Sequence, residues 1–323
     1  MRIKRQSLFQ SVVVKFNETN PTMSMYNWRM NSSEKHTLTR IVLEDIKTSA
    51  NLSKRKIISW IIDTFGYRAA GALADLLARI DEQLNESSLQ ETAERAVSAM
   101  TDGLVVSKQT EIPNSGPLLV VANHPGMIDI LGVLAILKRE DVKIVAQQKG
   151  FMRVLRNINR HMLTIEPDST FKLEAIREII RALNEGMAVV IFPKGQLEPD
   201  PALMDGAVES LEGWSDSIGV FLNKVPETLL LPVLVSGVVT ERAWRSRWAK
   251  LGWNQKRRHQ FAMARQFISQ RFSKKSEWKR PLQIDIGQPK LPKDLDPNLD
   301  PRQLNQAVRQ EMRNLLEKVR PAQ

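Results

Sequence analysis

The 323-residue sequence contains no cysteine and only four histidines, His36, His124, His161 and His259. The missing cysteine excludes a disulfide framework, a thiolate nucleophile and a cysteine-ligated zinc. So few histidines argue against a histidine-rich metal cluster, and neither a metal nor a cofactor is expected. No apolar run approaches the roughly eighteen residues of a spanning helix; the longest candidate, Ile57 to Ile62, stops at Asp63. The basic opening MRIKRQSLFQSVVVKF is interrupted by Lys15 before it builds the apolar stretch of a secretory signal, so nothing points to export. The glycines before Trp214 form no phosphate loop, and no dinucleotide fingerprint follows any strand.

What is present is ordinary in amount and uneven in placement. Hydrophobic residues make up 42% and charged residues 26%, enough for a substantial buried core. The net charge is +11. Between Glu241 and Arg280 there are thirteen Lys and Arg against Glu241 and Glu277 alone, so this segment carries the whole excess. Trp244, Trp248, Trp253 and Trp278 are interleaved with these cations. A basic, Trp-rich segment suits an anionic membrane surface, where indole rings sit at headgroup level. It also suits nucleic acid, although no recognisable nucleic-acid module accompanies it. A solvated helical face with its tryptophans turned inward is the third possibility. The expected location is cytoplasmic, peripherally attached to a membrane.

Apolar positions Ile58, Ile62, Phe65, Ala69, Leu73, Leu76, Ile80 and Leu84 recur at three- and four-residue steps and predict a long helix over 56–84, followed by a second over 89–101. Beyond these, short apolar runs alternate with helical patterns. The runs are 118–122, 143–146, 162–165, 188–192, 229–235 and 282–286, with helices expected at 127–139, 151–160, 169–186 and 302–320. This alternation predicts an α/β domain with a mainly parallel sheet and flanking helices, preceded by an N-terminal helical segment. The expected division is a loose extension over 1–33, a helical segment over 34–105, and the α/β domain over 106–323.

The sharpest local feature follows the run Leu118–Ala122: Asn123-His124-Pro125-Gly126-Met127-Ile128-Asp129. In an unbroken helix, side chains five residues apart diverge by about 140°. Pro125-Gly126 interrupts any such helix, so His124 can sit in a turn and Asp129 in the first turn of the next helix, within reach of one another. An aspartate there fixes the imidazole tautomer and stabilises the imidazolium formed on proton abstraction. No serine or cysteine stands at a matching elbow, so the simplest use is deprotonation of a substrate hydroxyl that attacks an activated acyl group. The alternative is a strand-end histidine that only caps the next helix. Asn123 has two possible partners, a backbone group or the acyl oxyanion. His161 and Glu166 repeat the spacing but flank a predicted strand with no turn between them, which favours a structural role.

The 123–129 block resembles the first motif, NH-x4-D, of the glycerolipid (lysophospholipid) acyltransferase superfamily. Ile191-Phe192-Pro193-Lys194-Gly195-Gln196 resembles that family's third motif, FPEGTRS; Leu231-Pro232-Val233 resembles its fourth, and 161–167 stands where the second, G-x-I-F-I-D-R, belongs. The resemblance spans about 111–237. It implies His124 as general base, Asp129 as its orienting partner, and Asn123, Gly126, Phe192, Pro193, Lys194 and Gly195 as substrate-binding positions. It also implies acyl-CoA or acyl-carrier protein as donor and a lipid hydroxyl as acceptor. Lys194 stands in place of the family's glutamate, Leu197 in place of an arginine, and Pro167 in place of the arginine that closes the second motif. Those arginines are associated with the acceptor phosphate in relatives, and their absence argues against lysophosphatidic acid or glycerol 3-phosphate. Lys194 either replaces the lost charge or forms a structural salt bridge, for instance with Glu198. A weakened relative that binds lipid as a scaffold is the rival reading.

Overall fold

The computed structural model describes residues 11–14, 32–49, 56–108, 111–165, 172–272 and 276–319. Three helices come early: α1 (Ser32–Ser49), α2 (Lys56–Glu86) and α3 (Leu89–Met100). This is one more than the apolar periodicity announces, because α1 is exposed over its first turn and buries only Leu38, Thr39, Val42, Leu43 and Lys47. The most buried line on α2 runs through Ala70, Ala74 and Ala78 before reaching Ile80 and Leu84. Small residues in the middle of α2 let α1 approach closely, with Thr39 lying against Gly71.

Among the described residues eight strands form one sheet: β1 (Ser11–Val14), β2 (Leu104–Lys108), β3 (Leu118–Ala122), β4 (Val142–Gln147), β5 (Met162–Ile165), β6 (Ala188–Ile191), β7 (Leu229–Ser236) and β8 (Leu282–Ile286). Their order is β1-β2-β8-β7-β3-β6-β4-β5. From β7 to β5 every pairing is parallel; β8 runs antiparallel to β7, and β1 antiparallel to β2. Six of the eight strands coincide with the predicted runs. Strand β2, which pairs in parallel with β8, carried no strong periodic signal. Four residues of the extension expected over 1–33 form the edge strand β1; most of the remainder lies outside the described residues.

The other helices are α4 (Asp129–Ile136), α5 (Gly150–Val154), α6 (Arg156–Asn159), α7 (Lys172–Asn184), α8 (Ala207–Ser210), α9 (Ser217–Lys224), α10 (Glu241–Trp244), α11 (Gln255–Phe272), α12 (Pro292–Leu295) and α13 (Pro301–Val319). The single helix expected over 151–160 is two short ones, separated at Leu155 by an extended residue with ψ 93°.

All five residues of β3 are buried, which is how a strand covered on both faces must read. Leu118, Val120 and Ala122 face a core shared with α1–α4. Leu119 and Val121 face a second core with α7, α9 and α13. Register places Val121 opposite both Ile191 and Pro232, so the carboxyl ends of β3, β6 and β7 lie side by side. Residues just beyond these ends are thereby gathered into one place, the usual location of ligand sites in open parallel sheets.

The second core depends on a close contact between α9 and α13. A Cβ at Gly219 would overlap the Pro301 carbonyl and come within 2.7 Å of Asn305 Nδ2. The Gly219 N–H also donates to Asn305 Oδ1 at 2.9 Å. Gly219→Ala is expected to force these helices apart and cost about 1–3 kcal/mol, seen as a lowered thermal midpoint.

Candidate active site

The chain leaves β3 at Ala122, turns through Asn123–Ile128 and enters α4 at Asp129. His124 Nδ1 lies 2.8 Å from Asp129 Oδ2. Asp129 is fully buried, and its carboxylate also accepts the N–H of Gly126 at 2.9 Å and its neighbour's, Ile130, at 2.7 Å. Three donors offset the cost of removing this charge from water. The helix begins at Asp129 rather than near Met127, but the two side chains meet as the Pro-Gly interruption predicts. The His124 side chain is 32% exposed, and its ring is tilted against Phe192 at 5.0 Å between centroids.

Glu198, in the loop after β6, clamps the main chain of His124. Its Oε2 accepts the His124 N–H at 2.9 Å, while its own N–H donates to the His124 carbonyl at 2.8 Å. Oε1 accepts Ser210 Oγ and Trp214 Nε1, each at 2.8 Å. Burial pushes the Glu198 carboxyl pKa up against the pull of these donors and of His124. For His124 burial works against the charged ring, but the charge and hydrogen bond of Asp129, with the charge of Glu198, outweigh it and raise the pKa. The sign for stability follows: His124 contributes most below the usual imidazole pKa of about 6.5, and that contribution is lost as pH rises through the higher folded value.

The expected substrate positions divide. Phe192 touches the histidine, and Gly195 is exposed at a turn with φ 62°, closed by its N–H to the Phe192 carbonyl at 3.0 Å. Pro193 is buried, its carbonyl accepting the Ser215 N–H at 3.0 Å. Asn123 is 4% exposed, and its amide exchanges two hydrogen bonds with the Val235 backbone, at 2.9 and 2.7 Å. Of its two possible partners the backbone has it. Gly126 is buried under Val238 and Met263 with its N–H on Asp129. Lys194 Nζ donates to the Ser210 carbonyl at 3.1 Å and packs on Gly213, so it forms no salt bridge with Glu198, whose carboxylate is taken up by other donors. His161 is buried, with Nδ1 3.1 Å from the Val142 carbonyl, while Glu166 and Pro167 lie outside the described residues.

Three contributors escaped sequence reasoning. The sequence offers Glu198 only as a partner for Lys194. Asp200, fully buried, accepts the N–H groups of Gly237 and Val239, each at 2.9 Å, and so ties the loop after β6 to the end of β7. His259 on α11 is 3% exposed, hydrogen-bonds the Pro125 carbonyl, and has no partner for Nε2. Burial lowers its pKa against the pull of Asp200 and Pro125, so the ring is neutral at neutral pH. Its only sequence signal was being a histidine inside a segment otherwise read as surface. Among the described residues no group of His, Asp and Glu is arranged to hold a metal ion.

Glu198→Ala leaves the His124 N–H, the Ser210 hydroxyl and the Trp214 indole without their acceptor. At about 1–3 kcal/mol for each buried unsatisfied donor, the variant is expected to unfold at a clearly lower temperature. NMR titration is expected to show the His124 pKa moving down as a nearby negative charge is lost.

A family model described as Acyltransferase matches residues 103–212, which include the turn after β3 and the loop after β6 that carries Glu198. A comparison with curated proteins gives no match. Among solved structures the chain is similar to the 1-acyl-sn-glycerophosphate (LPA) acyltransferase PlsC from Thermotoga maritima, at 17% identity and TM-score 0.43, covering 91% of this chain and 100% of that one. Over residues 103–212 the chain is thus similar to the Acyltransferase family.

Proposed function

We propose that the protein moves a fatty acyl group from a thioester donor, acyl-CoA or acyl-carrier protein, to a lipid hydroxyl, with His124 as general base and Asp129 as its orienting partner. The observation that carries this reading is the 2.8 Å contact between His124 Nδ1 and a fully buried carboxylate. With Nδ1 committed to Asp129, the part-exposed ring has Nε2 to take a proton. The acceptor hydroxyl gives its proton to Nε2 while its oxygen bonds to the thioester carbonyl carbon. The tetrahedral oxyanion collapses, the C–S bond breaks, and the departing thiolate takes the proton back from the imidazolium. Proton and electron pair balance without a metal. Asn123 and the Gly126 N–H are both engaged within the protein, so neither is assigned to the oxyanion.

Lys194 Nζ is turned toward the Ser210 carbonyl, and Leu197 stands where relatives carry an arginine. The acceptor headgroup is therefore read as something other than the phosphate of lysophosphatidate. Mass spectrometry of lipids acylated from a mixed pool of lyso-lipids and both donor types tests acceptor and donor together. Lysophosphatidate outcompeting every other acceptor would overturn the acceptor reading.

His124→Ala is expected to lower kcat/KM by about 10²–10⁴-fold, the usual contribution of a positioned base, and to lower the thermal midpoint as well, because the buried Asp129 carboxylate loses one of its three donors. Full activity in this variant would remove the mechanism. Since the base must be neutral and its pKa is raised, kcat/KM is expected to fall on acidification from a pH above that of free imidazole. Asp129→Asn is expected to move that limb to lower pH and to lower the plateau.

A further inference from the structure

The basic segment is sorted by the fold into two populations that its sequence does not distinguish. Trp278 is 6% exposed, with Arg242 and Arg265 stacked on its ring at 5.0 and 4.8 Å, and Arg242 also pairs with Glu277. Trp244 is half-buried beneath Arg258 at 4.0 Å, and Arg245 pairs with Glu241. These groups hold α10 and α11 to the domain. Trp248, Leu251 and Trp253 behave otherwise, with 57%, 69% and 60% of their surface exposed within six residues. Arg247 and Lys250 are exposed among them, and Arg257 lies over Trp253 at 5.2 Å. No Asp or Glu occurs between positions 242 and 276.

We propose that this turn, residues 247–253, is a docking face for an anionic lipid bilayer. Exposed tryptophans with an aliphatic neighbour, rimmed by cations and free of carboxylates, match the bilayer interface, where indoles lie at headgroup depth and Lys and Arg meet anionic lipid. The face is built rigidly: a Cβ at Gly252 would overlap the backbone of Arg258, and Lys250 N–H is bonded to the Ser246 carbonyl at 3.2 Å. It also stands beside the catalytic loops. Lys256 Nζ donates to Gln196 Oε1 at 2.8 Å, joining the start of α11 to the turn that carries Gly195 and Phe192. Met127, between His124 and Asp129, is 45% exposed. Among the described residues no helix is long and apolar enough to cross a membrane, so docking of this face offers one route for a lipid acceptor to the site. The inference deepens the proposed lipid-acyl transfer and rests on it for its purpose, although binding is measured separately.

The test is co-sedimentation of the full chain with vesicles of phosphatidylglycerol and phosphatidylcholine in equal parts, against phosphatidylcholine alone, at low and high salt. Arg247→Gln with Lys250→Gln is expected to weaken binding to the anionic vesicles about thirty-fold at low salt, the product of two surface cations removed, and to flatten the salt dependence. Trp248→Ser with Leu251→Ser and Trp253→Ser is expected to abolish binding and the blue shift of tryptophan fluorescence that accompanies it. Both variants should keep the parent's thermal midpoint and its activity on a short-chain, monomeric lyso-lipid. Unchanged vesicle binding in the triple variant overturns the proposal, as does a parent that ignores anionic vesicles or binds duplex DNA in preference. A parent inactive on every lipid yet bound to vesicles through this face would sink the acyl-transfer reading and leave the docking face standing.

Discussion

A carboxylate with no exposed surface is an expensive thing to place in a protein, and Asp129 is that group. Its burial is sustained by the His124 ring and the N–H groups of Gly126 and Ile130. Each donor makes a demand on the chain. Gly126 must turn its N–H back toward position 129, and it does so in a space where Val238 and Met263 leave no room for a Cβ. Ile130 must already be helical. His124 must stand outside the helix, which Pro125 ensures. The same residue that orients the histidine thus organises the turn, so chemistry and local fold cannot be varied separately here.

That turn is held from beneath and from both sides by the neighbouring strand ends. Parallel pairing of β3 with β6 and β7 sets the loop after β6 against the turn that follows β3, where Glu198 grips the main chain of His124 in both directions. Asp200, two residues on, secures the same loop to Gly237 and Val239 past the end of β7. Asn123 fastens the end of β3 to Val235 within β7. From above, α11 brings His259 to the Pro125 carbonyl. Several buried polar groups therefore converge on a few residues of backbone. A rigid mounting of this kind limits the error in the histidine's position, on which proton transfer depends steeply.

Local features of this arrangement were legible in sequence and long-range ones were not. A histidine, a Pro-Gly break and an aspartate five residues on lie in one stretch, so their meeting follows from turn geometry alone. The central strands were legible because each is an apolar run bounded by turn residues. Glu198 and Asp200 were not, since their partners lie far along the chain and only sheet register brings them together. Lys194 looked like a substrate cation or half of a salt bridge, but the fold turns it to the carbonyl of Ser210. Helix α11 mixes cations and apolar residues with no clean stripe, so neither the helix nor the inward direction of His259 could be read from periodicity. In the same segment charge was plain from composition, whereas the division of four tryptophans into two buried or half-buried and two exposed depends on which arginine stacks on which ring.

The environment of His124 also sets two opposing influences against one another, and the proposed general-base role gives their balance its meaning. A carboxylate beside the ring makes it a stronger base, but too strong a base stays protonated and idle at neutral pH. Burial acts in the opposite sense and is the largest influence on this ring, though Asp129 and Glu198 together exceed it. Burial raises the pKa of Glu198 itself, against the pull of Trp214, Ser210 and the histidine. When Glu198 is ionised it supports the imidazolium; when it is protonated that support falls away and the ring becomes easier to deprotonate. The two groups are joined through the backbone of His124 as well as through space. The basicity of His124 is consequently a property of a buried cluster, in which Asp129 and a carboxylate seventy-four positions along the chain both favour the charged ring.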